Sequence, residues 1–317
     1  MSIKFFYYCT IFCSLLILNS CSHYIPKKHI IENSDNYIVY EKNQLNSDQQ
    51  CRYNNNDSAI NAASIKVISW NNLAGCRQSL KKLAVFIQCD RVQADRSFIE
   101  LTRNRDLILI QEAYLDQDTL QILKNLGEDY SWDMAVSFIA NKKLDIPTGV
   151  LTAANAKSLT ACPLRTHEPV FPTPKAILFT TYNLKENNHT IIEKKLLIVN
   201  IHAVLIGKDY FYKQLNSMAE KIEKHHGPVI LAGDFNTMTA RSYSKLKHIT
   251  DKLEMIEVNI SPDADKRLKS FMGQRYDFIF YKDLVPVKVQ SIDLKETQNG
   301  KTSDHNPVFA EFKFIVQ

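Results

Sequence analysis

Along this chain, short β-branched apolar runs give way to apolar stripes at helical spacing, and back again. Ile65-Lys66-Val67-Ile68-Ser69-Trp70 is branched and aromatic and predicts a strand. Helical stretches follow near 78–88 and 93–104, then the compact run Leu107–Ile110, suited to a strand covered on both faces. Residues 116–126 read as helix; Trp132–Ile139, Val150–Ala154 and Ala176–Tyr182 read as strands. The turn residues Glu186-Asn187-Asn188-His189 join the last of these to Lys195–Ile201 as a hairpin. Phe211, Leu215, Met218 and Ile222 form one helical stripe, stopped by Gly227-Pro228. Val229–Ala232 is the next buried strand, 240–252 a helix, and strands near 277–281, 286–293 and 307–315 close the chain. No fixed-period repeat and no internal linker interrupts this alternation, which predicts one α/β domain with mixed sheets.

The two N-terminal segments do not fit that pattern. Lys4 precedes an almost unbroken apolar run from Phe5 to Leu18, too short to span a bilayer comfortably. A basic start, a short apolar stretch and small residues before a cut site read as a secretory signal. Leu18-Asn19-Ser20-Cys21 is similar to the lipobox of bacterial lipoproteins, in which the chain is cut before the Cys and the Cys carries lipid. The lipoprotein reading is preferred to a plain signal or an uncleaved anchor with Cys21 incidental. Residues 22–63 are polar, and Asn54-Asn55-Asn56-Asp57-Ser58 has no periodicity. The expected organisation is a signal at 1–20, a polar tether at 21–63 and one domain at 64–317. The protein is then exported and membrane-anchored through lipid, facing the periplasm or the cell surface, or else secreted.

Composition changes this little. A chain that is 45% hydrophobic and 23% charged is an ordinary globular protein, neither collagen-like, coiled-coil nor wholly disordered. The net charge of +5 is compatible with an anionic substrate and does not demand one. Of seven cysteines, Cys9 and Cys13 lie in the signal and Cys21 is the lipid site. Cys51, Cys76, Cys89 and Cys162 remain, open to three disulfide pairings or to staying buried thiols. Their spacing contains no CxxC, so they spell no zinc site.

The chemistry lies where buried strands end. Six such places carry residues able to bind metal or phosphate: Asn71; Gln111-Glu112; Asn200-Ile201-His202; Gly233-Asp234-Phe235-Asn236; Asp277-Phe278-Ile279-Phe280; and Ser303-Asp304-His305-Asn306-Pro307. Taken singly, each has a plainer explanation. Asn71 suits a turn, Glu112 a solvated carboxylate, His202 a hydrogen-bonded core imidazole, Asp234 and Asp304 caps, Asp277 a strand start. The six in this order are harder to explain so.

That order resembles the endonuclease/exonuclease/phosphatase superfamily, which includes deoxyribonuclease I-like nucleases, abasic-site endonucleases, neutral sphingomyelinases and inositol polyphosphate 5-phosphatases. The likeness spans about 65–315. Cys162-Pro163-Leu164-Arg165, Val199–Ala203 and Gly227–Asn236 bring it nearest to the YafD-like bacterial branch. The resemblance implies a four-layer α/β/β/α sandwich, two packed mixed β-sheets flanked by helices, with one site where strand ends meet. It also implies a Mg²⁺ ion, with Mn²⁺ a possible substitute, held by Glu112 with Asn71 and Asp304.

On that resemblance Asp234 polarises or deprotonates a water and Asn236 holds the water or a phosphate oxygen. His305 contacts the scissile phosphate, and Asp277 fixes its tautomer. His202 stabilises the pentacovalent phosphate or protonates the leaving group. Lys175, before the strand at 176–182, and Arg165 could each supply a further phosphate contact, but a solvated role suits each better. Tyr210-Phe211-Tyr212 reads either as a membrane-facing aromatic hairpin or, equally, as an exposed helix start. The expected activity is metal-dependent phosphodiester hydrolysis by a monomer, on DNA or RNA. Alternatives are phospholipid or phosphoinositide head groups, and a non-catalytic surface lipoprotein, which the complete set of residues argues against.

Overall fold

The computed structural model describes residues 37–39, 51–76, 90–141, 146–169, 174–186 and 190–315. The signal, Cys21, the helix expected near 78–88, Cys89 and the hairpin tip at 187–189 lie outside the described residues.

Among these residues run β1 (Tyr37–Val39), β2 (Arg52–Tyr53), β3 (Ala59–Asn61), β4 (Ile65–Asn71), α1 (Arg91–Thr102), β5 (Leu107–Tyr114) and α2 (Gln117–Lys124). Next come β6 (Ser131–Asn141), β7 (Ile146–Ala154), β8 (Thr160–Thr166), β9 (Lys175–Lys185), β10 (Ile191–His202) and α3 (Lys208–Glu223). The chain continues through β11 (Val229–Asp234), α4 (Ala240–Lys252), β12 (Ile256–Glu257), β13 (Asp277–Lys282), β14 (Val285–Ser291) and β15 (Val308–Lys313).

The strands form two mixed sheets. One has seven strands in the order β1-β6-β7-β5-β4-β15-β14; the other has eight, β12-β13-β11-β10-β9-β8-β2, with β3 paired to β9. Between the sheets, Val67, Leu109 and Ala310 of one meet Ile198, Ile230 and Ile279 of the other in one buried cluster. The opposite face of the first sheet packs on Phe98 and Leu101 of α1 and Leu123 of α2. The second sheet packs on the α3 stripe Phe211, Leu215, Met218 and Ile222, and on Leu246 and Ile249 of α4. This is the four-layer sandwich. Three of the four α-helices among the described residues begin on a residue that satisfies an orphan amide: Asp90 for α1, Asp116 for α2, and Thr239 with Ser242 in a reciprocal capping box for α4; α3 starts at Gly207 without a side-chain cap.

Ordered structure begins earlier than the expectation of a polar tether to residue 63. β2 pairs antiparallel with β8, β3 pairs parallel with β9, and Ile60 is fully buried between the sheets. The Asn-rich stretch is pinned rather than loose: Asn183 donates to the Asn56 and Ser58 carbonyls at 2.9 and 3.3 Å. Arg52 clamps Asp133, which is 1% exposed, while Ser158 holds its other carboxylate oxygen. Cys51 and Cys162 form a disulfide, one of the pairings left open, and Cys76 is also disulfide-bonded. β8, not foreseen as a strand, completes this side of the second sheet. Tyr210-Phe211-Tyr212 falls in α3 with Phe211 buried, so it is a helix start and not a hairpin.

Candidate active site

The residues of the site leave the ends of six strands or the loops beside them, and the register explains why they meet. β10 and β11 run parallel with His202 opposite Asp234, and β11 runs antiparallel to β13 with Asp234 opposite Asp277. Three functional side chains thus stand in a row across the second sheet. In the first sheet β4 and β5 are parallel, with Asn71 opposite Gln111. A register shift between Ile110 and Ala113 then turns the chain at Glu112, which takes a positive φ of 54°. Such a bulge re-aims a side chain, and its strain is found mainly at functional sites.

The loop before β15 is fastened to the end of β4 by hydrogen bonds. Trp70, buried, donates its Nε1–H to the His305 carbonyl at 3.0 Å. Ser303 Oγ donates to the Asn71 carbonyl at 2.7 Å and accepts the His305 amide at 3.1 Å. The close approach of β11 to β10 depends on glycine: Gly233 has φ +148°, and a Cβ there would lie 1.9 Å from the Ile201 carbonyl oxygen.

Beside and beneath the cleft, polar side chains link the two sheets. Asn71 Nδ2 donates to Asp234 Oδ2 at 3.1 Å, and His305 Nδ1 pairs with Asp277 Oδ2 at 2.8 Å. Deeper in, Gln111 Nε2 donates to Asn200 Oδ1 at 2.8 Å, and Asn200 donates to the Leu151 carbonyl at 2.8 Å. Gln111 and Asn200, both fully buried, are therefore a cross-brace beneath the site and not part of its surface.

The groups that face the cleft lie close together. His202 Nε2 is 3.5 Å from Asp234 Oδ2 and 4.0 Å from Glu112 Oε1, and His305 Nε2 is 3.9 Å from Asp234 Oδ2. Asn236 gives its amide to Asp234 Oδ1 at 3.0 Å and its side-chain N–H to the Ala203 carbonyl at 2.8 Å. Tyr276 lies tilted against the His305 ring, centroids 5.9 Å apart.

Lys175, set aside on sequence grounds, belongs here: its Nζ is 2.8 Å from His202 Nε2. An ammonium only donates, so His202 accepts at Nε2 and carries its proton on Nδ1. A lysine that opens a strand gives no sequence signal of this; only the register of β9 against β10 brings it in.

The electrostatics divide the two imidazoles. Burial, Lys175 and His305 hold His202 well below its ordinary range. In this arrangement the His202 imidazole is neutral with its Nε2 lone pair toward Lys175. Burial also works against a proton on His305, but Asp277, Asp234 and Asp304 outweigh it and hold that imidazole well above its ordinary range. Burial pushes the Asp234 carboxyl up and Asp277 adds to it; His305, Asn71 and the Asn236 amide pull it back. Loss of hydration in the cleft raises Glu112 too, with Asp304 and Asp234 adding and Lys175 and His305 opposing. The Glu112 side chain remains 36% exposed, so water at the mouth softens that push.

Glu112 and Asp234, with reduced hydration and close to further carboxylates, make a setting that suits a cation. The carboxylates of Glu112 and Asp304 and the side-chain oxygen of Asn71 are hard oxygen donors, the type that suits Mg²⁺ or Mn²⁺. Asp234, Asp277 and His305 also bring potential ligand atoms within 4.8 Å of one another. There His305 Nδ1 and Asp277 are already paired with each other, while Glu112 and Asp304 lie close enough for the charge of one to act on the other.

With fold and site in view, the chain is that of an α/β sandwich hydrolase scaffold whose polar strand ends form one cleft. It matches the Endonuclease/Exonuclease/phosphatase family over residues 72–305 and belongs to that family. A UPF0294 protein of Yersinia pseudotuberculosis is 34% identical over 217 residues, covering 68% of this chain and 75% of the relative, which fits the YafD-like branch. The human Nocturnin catalytic domain superposes with a TM-score of 0.57 at 20% identity, covering 81% of this chain and 96% of that one. ANGEL2, a 2',3'-cyclic phosphatase, gives 0.58 at 15% identity over 80% of this chain and 96% of that one.

Proposed function

We propose that the protein is a Mg²⁺-dependent phosphoric ester hydrolase that cleaves nucleic acid, DNA or RNA, by in-line attack of water. The observation that carries the reading is the His305–Asp277 pair at 2.8 Å facing Asp234, with Glu112 across the cleft. Glu112, Asn71 and Asp304 would hold the ion, which supplies positive charge to the phosphoryl group and its leaving oxygen. Mn²⁺ has the same donor preference and is expected to replace it.

The chain's own groups supply the rest. Asp234, whose proton affinity is raised, takes a proton from the attacking water. The Asn71 and Asn236 N–H groups fix its two oxygens so that the remaining lone pairs face the cleft. His305, charged and backed by Asp277, donates from Nε2 to a non-bridging oxygen and offsets the charge that builds in the pentacovalent state. Lys175 presents its ammonium to the phosphate, steadied by the His202 lone pair.

The cleft groups address a phosphate diester, and the net charge of +5 is compatible with nucleic acid and with anionic lipid alike. ANGEL2, similar in fold, is a 2',3'-cyclic phosphatase that binds adenosine-2',3'-vanadate, and this favours a nucleotide substrate over a lipid. The lipobox-like Leu18-Asn19-Ser20-Cys21 supports a second reading, a phospholipid or phosphoinositide phosphodiesterase kept at a membrane.

The purified protein is offered plasmid DNA, RNA, sphingomyelin, phosphoinositides and an aryl phosphodiester, with Mg²⁺ or with EDTA. Cleavage of nucleic acid alone supports the first reading; cleavage of lipid alone replaces it with the second. We propose also that the protein is a monomeric lipoprotein anchored through Cys21. Cys21→Ala is expected to abolish labelling by a radioactive fatty acid, and labelling that persists rejects the anchor.

A further inference from the structure

We infer that Arg267 is a positioning residue for the Asp277–His305 pair, an inference that rests on the phosphoesterase reading above. Asp277 opens β13, and its carbonyl faces the edge of the sheet. The backbone of β11 does not use it, because there Phe235 N–H donates to the Tyr276 carbonyl instead. On the other side β12 is only Ile256–Glu257, and the ladder ends with Val258 N–H donating to the Ile279 carbonyl. Carbonyls two residues apart on a strand point the same way, so Asp277 is the next acceptor along that edge, with no strand opposite it.

Arg267 supplies the missing donor. Its Nη1 donates to the Asp277 carbonyl at 3.1 Å, and its side chain is 7% exposed. The guanidinium is held from behind. Nε and Nη2 fork onto the two oxygens of Asp265, each at 2.9 Å, and Nη1 is 3.3 Å from Glu257 Oε1. Arg275 Nε donates to Asp265 at 2.9 Å and Tyr243 Oη donates to Glu257 at 3.0 Å. The guanidinium also lies over the Phe278 ring, 5.3 Å from its centroid.

A planar fork with five N–H donors can grip a carboxylate and still serve a carbonyl; an ammonium cannot match that geometry. Without Arg267, a buried acceptor is orphaned at the residue whose side chain must hold His305 in register, and the pair loosens. Arg267 touches no substrate; it acts through Asp277.

Turnover with Mg²⁺ is compared for the full-length parent, Arg267→Met, Arg267→Lys, Asp277→Asn and the Arg267→Met/Asp277→Asn double variant. On the same proteins without substrate, proton NMR follows the His305 Nδ1 proton shared with Asp277. The expected result is that Arg267→Met lowers kcat about 10- to 100-fold with KM unchanged, the scale of a small misplacement. In the Asp277→Asn background it adds no further loss. Arg267→Lys keeps the charge and the fold, yet fails to rescue kcat and loses the shared-proton signal. Equal losses in both backgrounds, or a shared-proton signal intact in folded Arg267→Lys, would overturn the inference. Should the parent turn over no phosphodiester while the signal still vanishes with Arg267→Lys, the functional reading fails and the positioning role stands.

Discussion

Two imidazoles about one carboxylate, held in opposite protonation states, are the most informative feature at the scale of single residues. His305 sits above its ordinary range through Asp277, Asp234 and Asp304, against the pull of burial. Its charged form therefore contributes stability that is fully present below the unfolded-state value, and this is lost as pH rises through the raised folded value. If catalysis needs that proton, activity falls on the same alkaline limb. Asp277→Asn is expected to lower the His305 midpoint, read by NMR on the metal-free protein, and to move the alkaline limb to lower pH; an unmoved midpoint contradicts the assignment. His202 has the opposite sign, since its folded value is depressed by burial, Lys175 and His305. Lys175→Met removes one of those causes and one phosphate contact. It is expected to raise the His202 midpoint and to cut kcat/KM by about 10-fold or more, the scale of a charge-assisted hydrogen bond. Unchanged steady-state kinetics would return Lys175 to a solvated role.

At the scale of elements, short strands and turns carry demands that long ones hide. β2 is two residues long, yet it is tied by the Cys51–Cys162 disulfide across a sequence separation of 111. In the chain-entropy view a loop of that size is worth about 4–5 kcal/mol. Cys51→Ser with Cys162→Ser is expected to lower the denaturant midpoint accordingly while leaving kcat near the parent value, because the strap lies far along β8 and β9 from the cleft. Gly233→Ala places a Cβ against the Ile201 carbonyl at a positive φ and is expected to cost more than about 1 kcal/mol in thermal unfolding. These demands also mark what the sequence made legible. β4, β5, β10 and β11 announced themselves because buried strands need branched apolar runs. β2, β3 and β8 did not, because a strand of two or three residues, or one containing Pro163, gives no periodicity to read; only the partner strand makes them strands. Gly-Asp-Phe-Asn and Ser-Asp-His-Asn-Pro were legible as motifs. Lys175 and Arg267 were not, since each acts through a register set by residues distant in sequence.

The molecule as a whole is two sheets whose polar strand ends are sewn together over an apolar interior. Gln111–Asn200, Asn71–Asp234 and His305–Asp277 each run from one sheet to the other, so the same contacts that assemble the cleft also hold the layers in register. Asn200→Ala would leave the Gln111 amide without that partner in a dry interior; a loss of about 1–3 kcal/mol is expected by chemical denaturation. The central claim is that this seam, where Glu112, Asp234 and His305 converge, hydrolyses phosphodiesters with a divalent ion. It is tested most directly by steady-state cleavage of a phosphodiester by the parent and Asp234→Ala, with Mg²⁺, with EDTA, and with Mg²⁺ restored. The expected result is turnover that EDTA stops and Mg²⁺ revives, and a fall of roughly 10²–10⁴-fold in Asp234→Ala, the worth of a general base. Turnover that ignores EDTA, or an Asp234→Ala variant as fast as its parent, would contradict it.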